Sequence, residues 1–351
     1  MFSNKEKNCF GLDFSDYILR IVQFFKLRGD IKLRAYGEIK IPPGLIQNGI
    51  IKNEDKVAKS IKDLLKNLQG KVTGHNVVAC LPEKTSFIKV IDLPEAETNI
   101  EGIVKKDLPN HIPLSLNEVY YDWQNLGKSG NNSRILIGAS PKIIVDGYVR
   151  TLEKANLVPY ALEIESVAIT RCLSKIKEKS NGAQIIIDLG FDRSTIILAE
   201  NDEVMFTTSS TEIGGNQMTK AVAQKLKLSI REAEKAKTIF GLNERGSKGE
   251  VRNIMLPIVN NLKKRIIDTI NYYQDNFTNH KPIEVIIFSG GGARLKGLLQ
   301  ALPIKPRSDI KMDLGDPQIN WQQGKLQIPN NKILSYPTAI GLALREMNNN
   351  D

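Results

Sequence analysis

IIIDLGFD, residues 185–192, is an apolar strand pattern that ends on an aspartate, Asp188, at a tight turn. The same pattern stands near the start of the chain as CFGLDFSD, residues 9–16, around Asp13. Each copy runs on into a second strand pattern, STIILAE (194–200) or YILRIVQFF (17–25), then a short polar turn, END (200–202) or RGD (28–30). A third strand pattern follows, VMFTTSSTEI (204–213) or IKLRAYGEI (31–39). Apolar runs separated by turn residues in this way predict a three-strand meander, here twice. A helical pattern closes both copies, NQMTKAVAQKLKL (216–228) and DKVAKSIKDLLKNL (55–68). The two aspartates are 188 − 13 = 175 residues apart, half of the 351-residue chain, so the sequence reads as a duplicated β-β-β-α unit.

An aspartate at such a turn has a chemical use. A hairpin gathers backbone N–H groups that can bind phosphate oxygens, and a carboxylate beside them can hold magnesium through its waters. Aspartate also starts turns for purely local reasons. A third stretch favours the chemical use: IIFSGGGAR, residues 286–294, runs an apolar strand into Gly290, Gly291 and Gly292, followed by residues 293–299, which can start a helix. Glycines let the backbone approach a flat base or ribose, and a helix start offers unpaired N–H groups. Alone, the stretch equally fits a strand-to-helix turn that needs positive φ. With the two hairpins it predicts a nucleotide cleft.

The order of the Asp13 hairpin, the Asp188 hairpin, GGN at 214–216, SGGGARLKG at 289–297 and PTAIGLALR at 337–345 resembles the actin-like ATPases. Among them the chain is most similar to the PilM family of type IV pilus assembly proteins, which is related to the division protein FtsA. The resemblance covers essentially the whole chain, and its most specific parts are IGGNQMTKAV followed by SIREAEKAK, the glycine turn and PTAIGLA. It implies an α/β, actin-like (ribonuclease H-like) duplicated fold, with two domains around a nucleotide cleft and a small β-α-β-β-α insert subdomain. The expected boundaries are 1–84 for the first part of the first domain, 85–158 for the insert and 159–182 for a connecting helix. Residues 183–336 form the second domain, and 337–351 a C-terminal connecting helix and tail.

Carried over by residue, the resemblance implies ATP or ADP with Mg2+ as the ligand. Asp13 and Asp188 stand near the metal and phosphates, holding the metal through water, with Ser15 and Gly190 in the two phosphate hairpins. Gly214 and Gly215 line the sugar and phosphate side. Glu234 and Lys237, three apart on a helix and so on one face, suit hydrogen bonds to a ribose, although such charges usually form a solvated face. Gly290, Gly291, Gly292 and Arg294 meet the adenine, on which an arginine can stack. Where the family has Asp-x-Gly, this chain reads Asp13-Phe14-Ser15, so a hydroxyl replaces a glycine, and Asp16 adds a negative charge unless it points away. Glu165, in ALEIESVAI, is the candidate for orienting an attacking water, beside the alternative of a structural glutamate. The expectation is slow ATP turnover at best.

The insert reads as a strand (87–93), a helix (99–107), two strands (118–126 and 134–139) and a helix from Pro141. Ser140 is expected to cap that helix, Pro141 to take its first position, and Ile144, Tyr148, Leu152 and Ala155 to share one face. The phrase NHIPLSLNEVYYDW resembles the subdomain that PilM and FtsA carry in place of one actin subdomain. In PilM-like proteins it helps form a groove for the N-terminal cytoplasmic peptide of PilN, which implies a PilN-like bitopic membrane protein as partner. Pilus motor ATPases or a platform protein are further implied partners, and a homo-oligomer interface is another use for such an insert.

Composition fits a folded chain of more than one domain. Cys9, Cys80 and Cys172 are odd in number and scattered in apolar segments, and His75, His111 and His280 are isolated, so neither a disulfide framework nor a zinc spacing is present. No apolar run approaches the ~20 residues of a membrane helix. The start, MFSNKEKN, has no apolar signal core, and the end, REMNNND, is polar. The expectation is a cytoplasmic protein held at the inner face of the cytoplasmic membrane through partners. The net charge of +10 is spread over many helices without a nucleic-acid motif, so no nucleic-acid partner is expected. Lys263-Lys264-Arg265 is read as a solvent face of a helix. The reading that results is an ATP-binding adaptor of the pilus assembly complex. The alternatives are an FtsA-like filament protein of cell division, a sugar or acid kinase with the same core, and a nucleotide-free scaffold.

Overall fold

The computed structural model describes residues 8–348 except 96, 98, 113, 176–181, 201, 245–248, 278–279, 305–309 and 323. The opening MFSNKEK, Pro113 of the insert phrase, Asn201 of the END turn and residues 349–351 of the tail lie outside the described residues. The chain divides into two compact units, Met1–Glu178 with Pro317–Pro329 and Tyr336–Asp351, and Lys179–Asp316 with Asn330–Ser335.

In the first unit the expected meander is β1 (Phe10–Phe14), β2 (Ile18–Leu27) and β3 (Asp30–Lys40), paired antiparallel. A small hairpin, β4 (Ile46–Gln47) and β5 (Ile50–Ile51), leads into helix α1 (Glu54–Lys66). Asn53 caps α1 by accepting from the Lys56 N–H at 3.0 Å, and Val57, Ala58, Ile61 and Leu64 bury its apolar stripe. Two-residue β6 (Gln69–Gly70) pairs outside β3, and β7 (Asn76–Leu81) lies parallel to β1.

The insert follows as β8 (Phe87–Pro94), α2 (Ile100–Asp107), β9 (Val119–Ser129) and β10 (Asn132–Pro141), in the sheet order β8-β10-β9. It has a core of its own, Leu93, Val104, Leu108, Val119, Ile135, Ile137 and Ala139. Helix α3 (Lys142–Lys154) then begins one residue later than its sequence signals suggest. Ser140 and Pro141 are still paired with Tyr120 and Val119 of β9, so Pro141 is the N-cap and the Ser140 hydroxyl meets that of Ser86 rather than the helix. The expected face of α3, Ile144, Tyr148, Leu152 and Ala155, packs into the core of the β1 sheet together with Phe14, Val57 and Ile61.

Residues 159–182, expected as a connecting helix, open instead as β11 (Val158–Ile164), parallel to β7, before α4 (Glu165–Leu173). β11 is an edge strand, where Pro159 removes no needed donor.

The second unit repeats the first. β12 (Ala183–Leu189), β13 (Ser194–Glu200) and β14 (Glu203–Ser210) form an antiparallel meander. After it come α5 (Gly215–Leu226), α6 (Ile230–Phe240), α7 (Glu250–Asn276), β15 (Ile283–Ser289), α8 (Leu298–Ala301) and β16 (Lys311–Leu314). The strand order β14-β13-β12-β15-β16 matches β3-β2-β1-β7-β11 of the first unit, with the meander on one side and parallel strands on the other. Duplication is therefore visible in topology as well as in sequence.

The chain ends in α9 (Pro337–Asn348), which returns to the first unit and lies against β1. A Cβ on Gly11 would fall 2.3 Å from the Ala339 carbonyl oxygen, so only glycine permits this helix-on-strand contact. Buried Glu163 ties the same region together. It accepts from Arg171 at 2.7 and 2.8 Å and pairs with Arg345 of α9. Burial pushes its carboxyl up, but the two arginines outweigh that and hold it below its ordinary value.

Candidate functional site

In the second unit, Asp188 is the last residue but one of β12, paired with Thr195 on β13 and with Ser289 on β15. The turn that follows closes through the Gly190 N–H, which donates to the Arg193 carbonyl at 2.9 Å. This hairpin is docked onto the first turn of α5. The N–H groups of Gly215 and Asn216 donate to the carbonyls of Gly190 and Phe191 at 3.1 and 2.8 Å, and the Asn216 side chain donates to Asp192 at 2.6 Å. The hairpin carbonyls thus satisfy two of the N–H groups that a helix start leaves unpaired. Gly190, Gly214 and Gly215 are brought together by this contact.

Glu234 and Lys237 lie on one face of α6, as their spacing suggests, and that face meets α5. Ser229 and Glu232 form a capping box that starts α6 and sets its phase. The buried Lys237 ammonium donates to the Gly215 carbonyl at 2.9 Å and to the Thr219 hydroxyl at 2.8 Å, and pairs with Glu234 at 2.7 Å. Thr219 also donates to Glu234. Lys237 therefore staples α6 to the glycine start of α5, while Glu234 keeps part of its carboxylate in solvent.

The glycine turn completes this unit. Gly290 has φ +79°, and a Cβ there would lie 2.5 Å from the Leu189 carbonyl oxygen and 2.6 Å from Asp188 Oδ1. The Asp188 carboxylate therefore lies across the backbone at the end of β15, and any side chain at 290 would occupy its place. Gly291–Arg294 form a 3-10 turn, with Arg294 exposed. The helix expected from residue 293 does not form: Leu295 is extended, Gly297 is left-handed, and α8 is four residues long. The glycines supply a close backbone approach here, and no long helix dipole points at it.

The equivalent turn of the first unit is built differently. Asp13 is buried and opposite Arg20 in the hairpin register, with a 3.4 Å ion pair between them. The Cys80 thiol donates to its other oxygen at 3.5 Å. Burial, followed by Asp13 and Glu165, pushes the Cys80 thiol well above its ordinary value and so keeps its proton available. Burial also lifts Asp13 to about 6; Arg20 pulls it down and Glu165 raises it further. The Ser15 hydroxyl donates to the Ile18 carbonyl at 2.9 Å and accepts from the Ile18 N–H at 3.1 Å. Asp16 accepts from the N–H groups of Asn48 and Gly49 at 2.8 and 2.9 Å, so its charge is held by that turn. Glu165 is the first residue of α4, half-buried and close enough to Asp13 to act on its charge.

Sequence reasoning missed Arg20 and Cys80. Arg20 was open to it, because the hairpin that pairs Phe14 with Leu19 necessarily pairs Asp13 with Arg20. Cys80 comes from β7, 67 residues away, and no local signal marks it.

The second unit fits a phosphate-bearing ligand with a hydrated cation: it has a carboxylate over a glycine turn and a buried Ser289 hydroxyl without a hydrogen-bond partner among the described residues. Among the described residues no group of three or more His, Cys, Asp or Glu side chains is placed to hold a metal ion. A cation would therefore depend on water and phosphate oxygens for most of its ligands. In the first unit the Asp13, Ser15 and Asp16 side chains are already engaged with other groups of the protein.

The family described as type IV pilus assembly protein PilM matches residues 11–347. The chain belongs to the PilM family. Its fold is that of the solved PilM-PilN type IV pilus biogenesis complex, with a TM-score of 0.80 at 20% identity over 97% of this chain and 98% of that one. MreB5 of Spiroplasma citri, solved with AMPPNP bound, aligns with a TM-score of 0.52 at 11% identity over 95% of this chain and 94% of that one. The fold is thus the actin-like, ribonuclease H-like duplicated α/β fold. The cell division protein FtsA of Enterococcus hirae is 32% identical over 106 residues, 30% of this chain. That match spans 24% of the FtsA chain, about a quarter of its length. Among the described residues no helix of this PilM-family chain is long and apolar enough to cross a membrane.

Proposed function

We propose that the chain is an ATP-binding adaptor of a type IV pilus assembly complex, cytoplasmic and held at the inner face of the membrane by a PilN-like bitopic protein whose N-terminal peptide it binds. Membership of the PilM family supports the pilus role. The observation that carries the nucleotide part is the Asp188 carboxylate lying over the Gly290 backbone, a cradle that a single Cβ would fill. Asp188 would hold Mg2+ through water, the hairpin at Gly190 and the Gly214–Gly215 start of α5 would take phosphate and sugar, and Glu234 would bond the ribose. Lys237 would act by fixing α5. Gly291, Gly292 and Arg294 would border the adenine. Bound magnesium neutralises phosphate charge; the residues of this chain orient it. Glu165 is the residue proposed to orient water, with slow hydrolysis at best.

The insert is the proposed partner surface. One face of its sheet is covered by α2, while Ile88 and Val90 stand on the opposite face beside Leu136. β9 is an edge strand with Tyr120 and Trp123 exposed, which suits a peptide that adds main-chain hydrogen bonds and side-chain anchors. Titration calorimetry of the nucleotide-stripped protein with a PilN-like N-terminal peptide, with and without ATP and magnesium, tests both halves. Peptide binding that Tyr120→Ala and Trp123→Ala leave untouched would remove β9 from the account.

A second reading, a nucleotide-free scaffold, is favoured by one observation. The Asp13, Ser15 and Asp16 side chains of the first hairpin are all engaged within the protein.

A further inference from the structure

Asp188 stands in a row of oxygen-bearing residues that crosses four neighbouring strands. Backbone register pairs Ser209 of β14 with Thr195 of β13, Thr195 with Asp188 of β12, and Asp188 with Ser289 of β15. Residues paired across strands project to the same face of a sheet, so the four side chains form one polar line at the strand ends. Two members of the line satisfy each other: the hydroxyls of Thr195 and Ser209 are 2.9 Å apart. Ser289 differs. It is fully buried, and its Oγ has no hydrogen-bond partner among the described residues.

A buried hydroxyl without a partner is unfavourable, and alanine would fill nearly the same space without that cost. Such a group is explained if ligand binding turns a neighbouring side chain toward it. The neighbouring residue indicates which ligand, because Gly290 carries the Asp188 carboxylate across its backbone. The open polar capacity at the end of β15 therefore adjoins the carboxylate, on the side away from the Thr195–Ser209 pair.

We propose that Ser289 is a positioning residue for the hydrated divalent cation of a bound nucleotide, its buried hydroxyl turning to the carboxylate of Asp188, its register partner, when that carboxylate engages the cation's water shell. This rests on the ATP reading above. Ser289 touches neither base nor sugar in this account, so its contribution belongs to the magnesium-dependent part of the affinity alone.

The test is calorimetric titration of the nucleotide-stripped full chain with ATP, once in excess magnesium and once in EDTA. The ratio of the two dissociation constants is the magnesium increment. In Ser289→Ala the increment should fall by about tenfold, the usual scale for losing an outer-sphere partner of a metal site. Affinity in EDTA and the thermal midpoint of the unliganded protein should hold or, for the midpoint, rise. Thr170→Val removes another buried hydroxyl without a hydrogen-bond partner among the described residues, one on α4, and should leave the increment at its wild-type value. A wild-type increment in Ser289→Ala, or an equal loss in magnesium and in EDTA, overturns the proposal while leaving the ATP reading standing. Failure of the wild-type protein to bind ATP at all overturns both.

Discussion

The hairpins around Asp13 and Asp188 occupy equivalent places in two copies of one topology, yet the groups that surround the two carboxylates differ. In the first, the carboxylate is buried against Arg20 and Cys80, the serine hydroxyl closes its own turn, and the next aspartate is held by the Asn48–Gly49 backbone. In the second, the carboxylate lies over a glycine, the turn is pinned from outside by α5, and a neighbouring hydroxyl has no partner among the described residues. Duplication preserved the strand order and let the polar groups diverge. A repeated sequence pattern therefore establishes a repeated scaffold, and each copy's ligand chemistry has to be argued from its own contacts.

The largest effect should come from filling the space that distinguishes the second copy. Gly290→Val puts a β-branched side chain at positive φ and into the Leu189 carbonyl. A loss of about 3 kcal/mol or more is expected in denaturant unfolding of the second unit. A variant with wild-type stability would contradict the cradle.

Asp13→Asn probes the buried carboxyl of the first copy. Its folded value, about 6, lies above the 3.8 of an ordinary aspartate, so folding takes up protons between those values. Stability from this group is present below pH 4 and is lost as pH rises to 6. The full penalty at neutral pH is up to about 3 kcal/mol. The variant should flatten the stability profile between pH 4 and 6, followed by denaturant midpoints at each pH. An unchanged slope would mean that Arg20 holds the carboxylate ionised throughout.

Lys237→Met removes the staple between α6 and α5. Because Glu234 is half-exposed and can rehydrate, the loss should be about 1–2 kcal/mol rather than the larger cost of orphaning a buried charge. Hydrogen exchange should rise first in the opening turn of α5. Ser15→Gly should have the smallest effect, about 1 kcal/mol, since it removes one side chain whose hydroxyl closes its own turn and loosens the backbone there. A larger drop in nucleotide affinity than in stability would return Ser15 to the phosphate site.

The scaffold was readable because its signals are local and repeated: apolar runs ending at Asp13 and Asp188, turns at RGD and END, and helices of the right period after each. The insert was readable for the same reason. β11 was not, since its VPYALEI pattern with a proline gives a weak strand signal that only the neighbouring β7 converts into an edge strand. The start of α3 was misplaced because pairing of Ser140 and Pro141 with β9 overrode a good local cap. The site residues were named by pattern, but the state of each group is a long-range matter. Cys80 reaches Asp13 from another strand, and the Gly215 carbonyl receives Lys237 from another helix.

The central claim is that the second hairpin carries the nucleotide chemistry and the first is largely structural. Titration of the nucleotide-stripped protein with ATP and magnesium, set beside Asp188→Ala and Asp13→Asn, tests it most directly. The account predicts a loss of about 100-fold or more in affinity for Asp188→Ala, or about 3 kcal/mol, and less than about tenfold for Asp13→Asn. Equal losses in the two variants, or a larger one for Asp13→Asn, would contradict it.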